Sequence, residues 1–142
     1  MEYSEIETEV QTIVYNLIKD NKVLSYNVLD GRPEQMIRMQ GFPYVLIHTP
    51  ERNDEKMLTH RIRLIPLEMT IEIFCTEKES LLRSLTGEVL GILQANQRTT
   101  RENKIFKYKT AKTNLDIDFT ENIKIFKMTC TINYEVSVLD QA

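Results

Sequence analysis

The stretch FKMTCTINYEVSV, residues 126–138, alternates between two kinds of side chain. Apolar residues, with Cys130 and Tyr134 among them, take every second position from Phe126 to Val138, and polar or charged residues take the positions between. This period of two is typical of a β-strand with one buried face and one polar face. The run is longer than the usual strand of about 5–6 residues, so we expect it to extend beyond its sheet or to carry a bulge.

A second long strand is predicted between Arg61 and Cys75, where the same period returns. The apolar face of this strand comprises Ile65, Leu67, Met69, Ile71, Ile73 and Cys75. Alternation of this kind favours an antiparallel sheet, because parallel strands covered on both faces are usually apolar throughout. Shorter strands are predicted at 44–49, 105–110 and 115–119.

Two segments have the apolar spacing of amphipathic helices. The stripe of the first comprises Ile6, Val10, Ile13, Val14, Leu17 and Ile18. The stripe of the second comprises Leu82, Leu85, Val89, Ile92 and Leu93. Capping-box spacing at Ser4–Glu7 and at Thr76–Glu79 predicts where the two helices begin. Gly87 and Gly91 lie four residues apart, and we expect them to allow a tight contact between the second helix and the sheet.

The order of these elements is helix, strand, long strand, helix and then a pair of strands. The economical arrangement is an α+β fold in which a mostly antiparallel β-sheet carries both helices, in the order α-β-β-α-β-β. No repeat or break in composition divides the chain, so we expect residues 1–142 to form a single domain. The polar stretch 50–60 predicts an exposed, mobile loop.

Charge and composition favour a globular protein that folds in a cytoplasm. Hydrophobic residues make up 42% and charged residues 27% of the sequence, and the formal net charge is −3. A general nucleic-acid binder would carry a marked basic excess. The acidic start is unlike a secretory signal, and no run approaches the roughly 20 apolar residues that cross a bilayer. We expect Cys75 and Cys130 to be buried free thiols rather than part of a disulfide or a metal site.

The residue patterns of common active sites are missing from the sequence. It contains four glycines and neither a phosphate-binding glycine loop nor a nucleophile elbow. His48 and His60 could approach one another if their strands paired, but two histidines without an acidic ligand make a poor metal site. For Glu68 and Glu72 we favour a solvated or subunit-contact face over an acid–base pair. We therefore expect no enzyme activity and no cofactor.

A basic segment follows the second helix and contains interleaved aromatic residues. Its cations are Arg98, Arg101, Lys104, Lys107, Lys109 and Lys112. Basic residues mixed with aromatics occur in grooves that bind single-stranded nucleic acid. Phe106 and Tyr108 share one strand face, however, so we favour buried aromatics with lysines that face water. The acidic N-terminus of another copy of the chain could then pair with this basic surface.

The sequence resembles the tail terminator or tail completion proteins of long-tailed phages and related proviruses. The resemblance covers most of the chain and lies in the order and length of its parts. These parts are the capped helix at 5–19, the strand entry GFPYVLI at 41–47, the charged loop after Pro50, the strand end TIEIF at 70–74, the helix at 76–96 and the strand end INYEV at 132–136. Head–tail connector and neck proteins share much of this layout.

The resemblance implies a structural virion protein that forms a ring, expected to be a hexamer, on the end of the tail tube. The ring would end polymerisation of the tube and form the joint to the head connector. Its partners would be other copies of itself, the tail-tube protein and a head connector or neck protein. Viral DNA would pass through the ring without specific binding, and no membrane would be involved. The protein would act in the virion, at the head–tail joint, after assembly in the host cytoplasm.

A ring needs two different complementary patches on each subunit. We expect these subunit and partner contacts among residues of the charged loop and of the basic segment. They are Glu51, Arg52, Asp54, Glu55, Lys56, Arg98, Arg101, Lys104, Lys107 and Lys109. Two other interpretations stay open: a generic homo-oligomeric interaction module, and an enzyme whose site has no recognisable motif.

Overall fold

The computed structural model describes residues 3–30, 42–53, 56–59, 61–76, 78–120 and 123–139. The helices are α1 (Tyr3–Asn21) and α2 (Glu79–Ala95). The strands are β1 (Asn27–Leu29), β2 (Tyr44–Ile47), β3 (Glu51–Arg52), β4 (Lys56–Thr59), β5 (Ile62–Cys75), β6 (Arg98–Arg101), β7 (Lys104–Thr120) and β8 (Ile123–Leu139).

All of these strands belong to one sheet, in the order β1-β2-β5-β8-β7-β6, and β3 and β4 also pair with β5. β1 and β2 run parallel, and the other pairs are antiparallel. One side of β5 pairs with β8 along the whole length of β5. The strands β2, β3 and β4 therefore lie on the other side of β5. The predicted α+β fold, with two helices on a mostly antiparallel sheet, is confirmed.

The main core lies between the helices and one face of the sheet. Every apolar residue predicted to face inwards on β5 and β8 is buried there, together with the helix stripes except Leu17 and Ile92, which are half-buried. Removal of this apolar surface from water is the main force that holds the helices on the sheet. Both cysteines are buried free thiols, as predicted, and burial raises the pKa of the Cys130 thiol to about 11.

A smaller cluster covers the opposite face of the sheet. Leu29, Tyr44 and Leu46 are buried there against Phe74, and the rings of Tyr44 and Phe74 stack with their centroids 4.6 Å apart. β2 is therefore buried on both faces, which explains why its four residues are apolar without alternation.

A bulge lies in β7, whereas the last strand, β8, has no register shift against β5 and continues past the end of β5. Tyr108 opposes Tyr134 and Thr110 opposes Asn133, so Lys109 is an extra residue in β7. The extra residue changes which residues of β7 face the main core. Before it, the even-numbered Phe106 and Tyr108 contact the core. After it, the odd-numbered residues take that face.

The predicted order α-β-β-α-β-β is wrong in detail, because it omits β1, β3, β4 and β6. These strands are two to four residues long, which is too short for a period of two to be visible in the sequence. They form by backbone pairing to a longer neighbour. The loop predicted at 50–60 is accordingly wrong for the described residues, since β3 and β4 pair with β5 there.

The predicted helix starts are displaced. α1 begins at Tyr3, so Ser4 lies inside the helix. α2 begins at Glu79, and its N-cap is the extended Lys78, whose side chain makes no capping hydrogen bond, so the capping box at Thr76 is wrong. The predicted contact of Gly87 and Gly91 with the sheet is also wrong, because a Cβ at either position would meet no atom within 4 Å.

Candidate assembly surface

Among the described residues, no strand pairs with the outer side of β7 along most of its length. β6 pairs with β7 from Lys104 to Lys107, and the Tyr108 N–H then donates to the Gln97 carbonyl at 2.8 Å. From Lys109 to Thr120, no described strand lies beyond β7. We call this outer side of residues 109–120 the free edge. A long unpaired edge offers backbone donors and acceptors to a strand of another chain.

The β7–β8 hairpin extends past the end of β5 and exposes apolar side chains. The last β5–β8 pair is Cys75 with Phe126, whereas β7 and β8 remain paired as far as Thr120 and Ile123. Ile117 and Phe119 share one face of this end and are 48% and 71% exposed, and Ile123 on the opposite face is 49% exposed. We call these three side chains the apolar tip. Large apolar side chains exposed together mark contacts with another molecule.

Charges on the free edge are separated along the strand. Lys109 and Lys112 lie near the bulge, Asp116 and Asp118 lie near the apolar tip, and all four are exposed. After the bulge, the even-numbered residues of β7 share the polar face of the sheet, because they oppose the odd-numbered residues of β8. The polar face of the free edge is therefore basic at one end and acidic at the other.

A cleft of about 550 Å³ lies on the polar face of the sheet. Glu72 is already engaged there, because its carboxylate lies 2.6 Å from His48 Nε2 and 3.5 Å from Lys127 Nζ. Glu68 is exposed beside Glu51, its partner across the β3–β5 pair. The described residues contain no group of three or more His, Cys, Asp or Glu side chains placed to hold a metal ion. His60, the second histidine considered with His48, lies outside the described residues.

Residues of the predicted charged loop have different environments. Glu51 is exposed, and Lys56 begins β4. Arg52 is half-buried, and its Nε donates to Glu7 Oε1 of α1 at 3.2 Å. Arg52 therefore joins β3 to α1 within the chain. Asp54 and Glu55 lie outside the described residues.

Lys104 differs from the other lysines of the basic segment because it is buried. Its side chain is 4% exposed, and its Nζ lies 2.8 Å from Glu9 Oε1 of α1. Lys104 is buried because it lies two residues before Phe106 on β7, and the two side chains therefore share the face that packs on the core. Lys104 thus forms an ion pair with a residue of α1 in the same chain.

The other predicted basic residues reach the surface. Arg98, Arg101 and Lys109 are exposed, and Lys107 is half-buried opposite Glu135. Lys109 Nζ is 3.8 Å from Glu135, a long separation for an exposed ion pair. The contact role of these residues stays a prediction.

The apolar tip and the free edge were not predicted as functional. The signal for the tip is present in the sequence: Ile117 and Phe119 lie directly before the polar residues TEN at 120–122, which are typical of a turn between strands. Strands that continue to such a turn extend past a shorter strand such as β5. The apolar residues at their end are then no longer covered by the core. The free edge depends on which strands pair, and this cannot be read from periodicity.

Neither helix of the described chain is long and apolar enough to cross a membrane. No family model matches the chain, and no curated protein matches it. The surface chemistry of the described residues is therefore the structural basis for a functional proposal.

Proposed function

We propose that this protein is a structural virion subunit that caps a phage tail tube as a ring. The ring ends polymerisation of the tube and forms the joint to the head connector. The observation that carries the proposal is the free edge with its apolar tip, a surface that the described chain leaves uncovered. The resemblance to tail terminators supplies the class of assembly.

The sheet offers two different sides for a head-to-tail contact. The free edge lies on one side, and β3 and β4 lie on the other side, beyond β5. Contacts between unlike surfaces can close into a ring when each step adds a fixed rotation. In the proposed ring, the free edge of one subunit meets the β3–β4 side of the next.

Charge supports this pairing of unlike sides. Glu51 and Glu68 lie directly opposite one another across the β3–β5 pair, and like charges in that position are unfavourable. Cations from a neighbouring subunit would relieve the repulsion. The side of the free edge supplies them as Arg98, Lys109 and Lys112.

Tail-tube length measured by electron microscopy tests the proposal. Purified tail-tube protein is polymerised with the wild type or with the double variant Ile117→Ser/Phe119→Ser. Wild-type protein is expected to give short, capped tubes, and the variant is expected to lose capping while its thermal unfolding stays cooperative. Val23→Ser is the matched control, because Val23 is an apolar residue 88% exposed outside the proposed surface.

Two results would contradict the proposal. Tubes that grow equally long with and without the wild-type protein would exclude tail capping, and self-association without capping would indicate a generic interaction module. Equal capping by the tip variant and the wild type would exclude the apolar tip as a contact.

A further inference from the structure

We propose that in the free protein the free edge pairs antiparallel with the free edge of a second copy, which gives a two-fold dimer. The inference rests on the proposed function only in that the free edge is also the proposed ring contact. The dimer would occupy the free edge before a ring forms. A single strand edge cannot serve both contacts at once. The dimer therefore has to open when the subunit joins a ring.

Self-complementary charge carries the inference. When Asn114 of one copy lies opposite Asn114 of the other, Lys112 of each copy lies opposite Asp116 of its partner. All of these residues are exposed on the polar face of β7. Opposite charges directly across an antiparallel pair attract, and like charges repel. A parallel, in-register pair would instead place lysine beside lysine and aspartate beside aspartate.

The same register covers apolar surface on the other face of the sheet. Ile117 of each copy would lie opposite Ala111, and Leu115 would lie opposite Thr113. Ile117 is 48% exposed in the single subunit. Side chains directly opposite across an antiparallel pair share a face, and their Cβ atoms lie about 5 Å apart. Pairing would therefore remove part of the apolar tip from water.

The length of the free edge fits this register. The bulge at Lys109 bounds the edge at one end, and β7 ends at Thr120 at the other. A two-fold axis at Asn114 places Lys109 opposite Phe119, so nearly the whole free edge is used. Charged residues on an edge strand usually prevent pairing with other chains. Here the charges that repel a parallel copy attract an antiparallel one.

A single cysteine tests the two-fold axis. In an antiparallel pair, directly opposite Cα atoms lie about 4.5–5.5 Å apart, which is within reach of a disulfide. Asn114→Cys should therefore cross-link to itself under mild oxidation and run as a dimer on a non-reducing gel. The native Cys75 and Cys130 are buried free thiols. Ser84→Cys, on an exposed position of α2, is the matched control and should stay monomeric on the gel.

Charge reversal tests the register. Lys112→Asp or Asp116→Lys alone should weaken dimerisation on the order of tenfold, because each change replaces two attractive pairs with two repulsive ones. The double variant should regain the wild-type dissociation constant by sedimentation. No cross-link with Asn114→Cys, or no recovery in the double variant, would overturn the inference.

The proposed dimer and the proposed ring can be refuted independently of each other. A dimeric protein that leaves tube length unchanged would retain the edge pairing and exclude tail capping. A protein that caps tubes yet is monomeric when free would retain tail capping and exclude the dimer.

Discussion

The Lys104 side chain is buried, and its positive charge is compensated by the carboxylate of Glu9. Its ammonium lies 2.8 Å from Glu9 Oε1, and the Glu9 side chain is 23% exposed. A buried ion pair contributes little net stability over an apolar pair, but loss of one partner leaves a charge without compensation. The two members should therefore respond unequally to substitution, because Glu9 can reach water and Lys104 cannot.

We predict that Glu9→Ala lowers the free energy of unfolding by roughly 2 kcal/mol, less than for a fully buried pair because water reaches Glu9. Lys104→Met should be milder, because it removes the buried charge and keeps the apolar stem. The double variant should lose less than the sum of the two single losses. Urea unfolding measures all three variants. Additive losses would show that the two residues are not coupled.

Glu88 of α2 holds the segment that leads from α1 to β1. Its Oε1 accepts the N–H groups of Val23 and Leu24 at 2.8 and 3.1 Å. Burial alone would raise the pKa of the Glu88 carboxyl. The Tyr26 hydroxyl, these two N–H donors and the Lys22 charge outweigh burial and lower that pKa. Because the pKa is lower in the folded chain, ionised Glu88 stabilises the fold.

We predict a pH-dependent difference in stability between wild type and Glu88→Gln. The contribution of ionised Glu88 is fully present above its unfolded pKa of about 4.5. It is lost as the pH falls through the lower folded value. The wild type should therefore exceed the variant most near neutral pH, and the gap should close in acid. Thermal unfolding at several pH values provides the measurement. A gap that is independent of pH would contradict the role of the charge.

At the scale of elements, α2 contains two glycines that the fold does not require. Gly87 and Gly91 lie in the helix interior, and a Cβ at either position would meet open space. Glycine in a helix interior costs about 1 kcal/mol relative to alanine. We predict that Gly87→Ala and Gly91→Ala each raise the free energy of unfolding by roughly 0.5–1 kcal/mol. A loss of stability in urea unfolding would show that these positions are closely packed after all.

The long elements could be predicted because burial imposes a period on them. β5 and β8 alternate over more than ten residues each, and both helices show apolar stripes. The short strands could not be predicted, because Glu51 and Arg52 pair through backbone groups and carry no periodic signal. The capping box predicted at Thr76 is wrong because residue spacing alone does not establish a helix cap. The extended backbone that precedes α2 is at Lys78.

At the scale of the whole molecule, sequence reasoning located charge but not the partners of the charges. Arg98, Arg101 and Lys109 are exposed as expected. Arg52 and Lys104 belong to ion pairs with α1, and those pairs depend on which elements meet in space. The free edge has the same dependence, because it exists only where β6 stops short of the end of β7.

The most direct test of assembly through the free edge is solution mass by light scattering, over a range of protein and salt concentrations, with and without tail-tube protein. We predict a dimer for the free protein, a ring when tube protein is present, and a monomer in both conditions for a variant altered at Lys112, Ile117 and Phe119. A wild-type protein that remains monomeric at every concentration, alone and with tube protein, would contradict the proposed role in assembly.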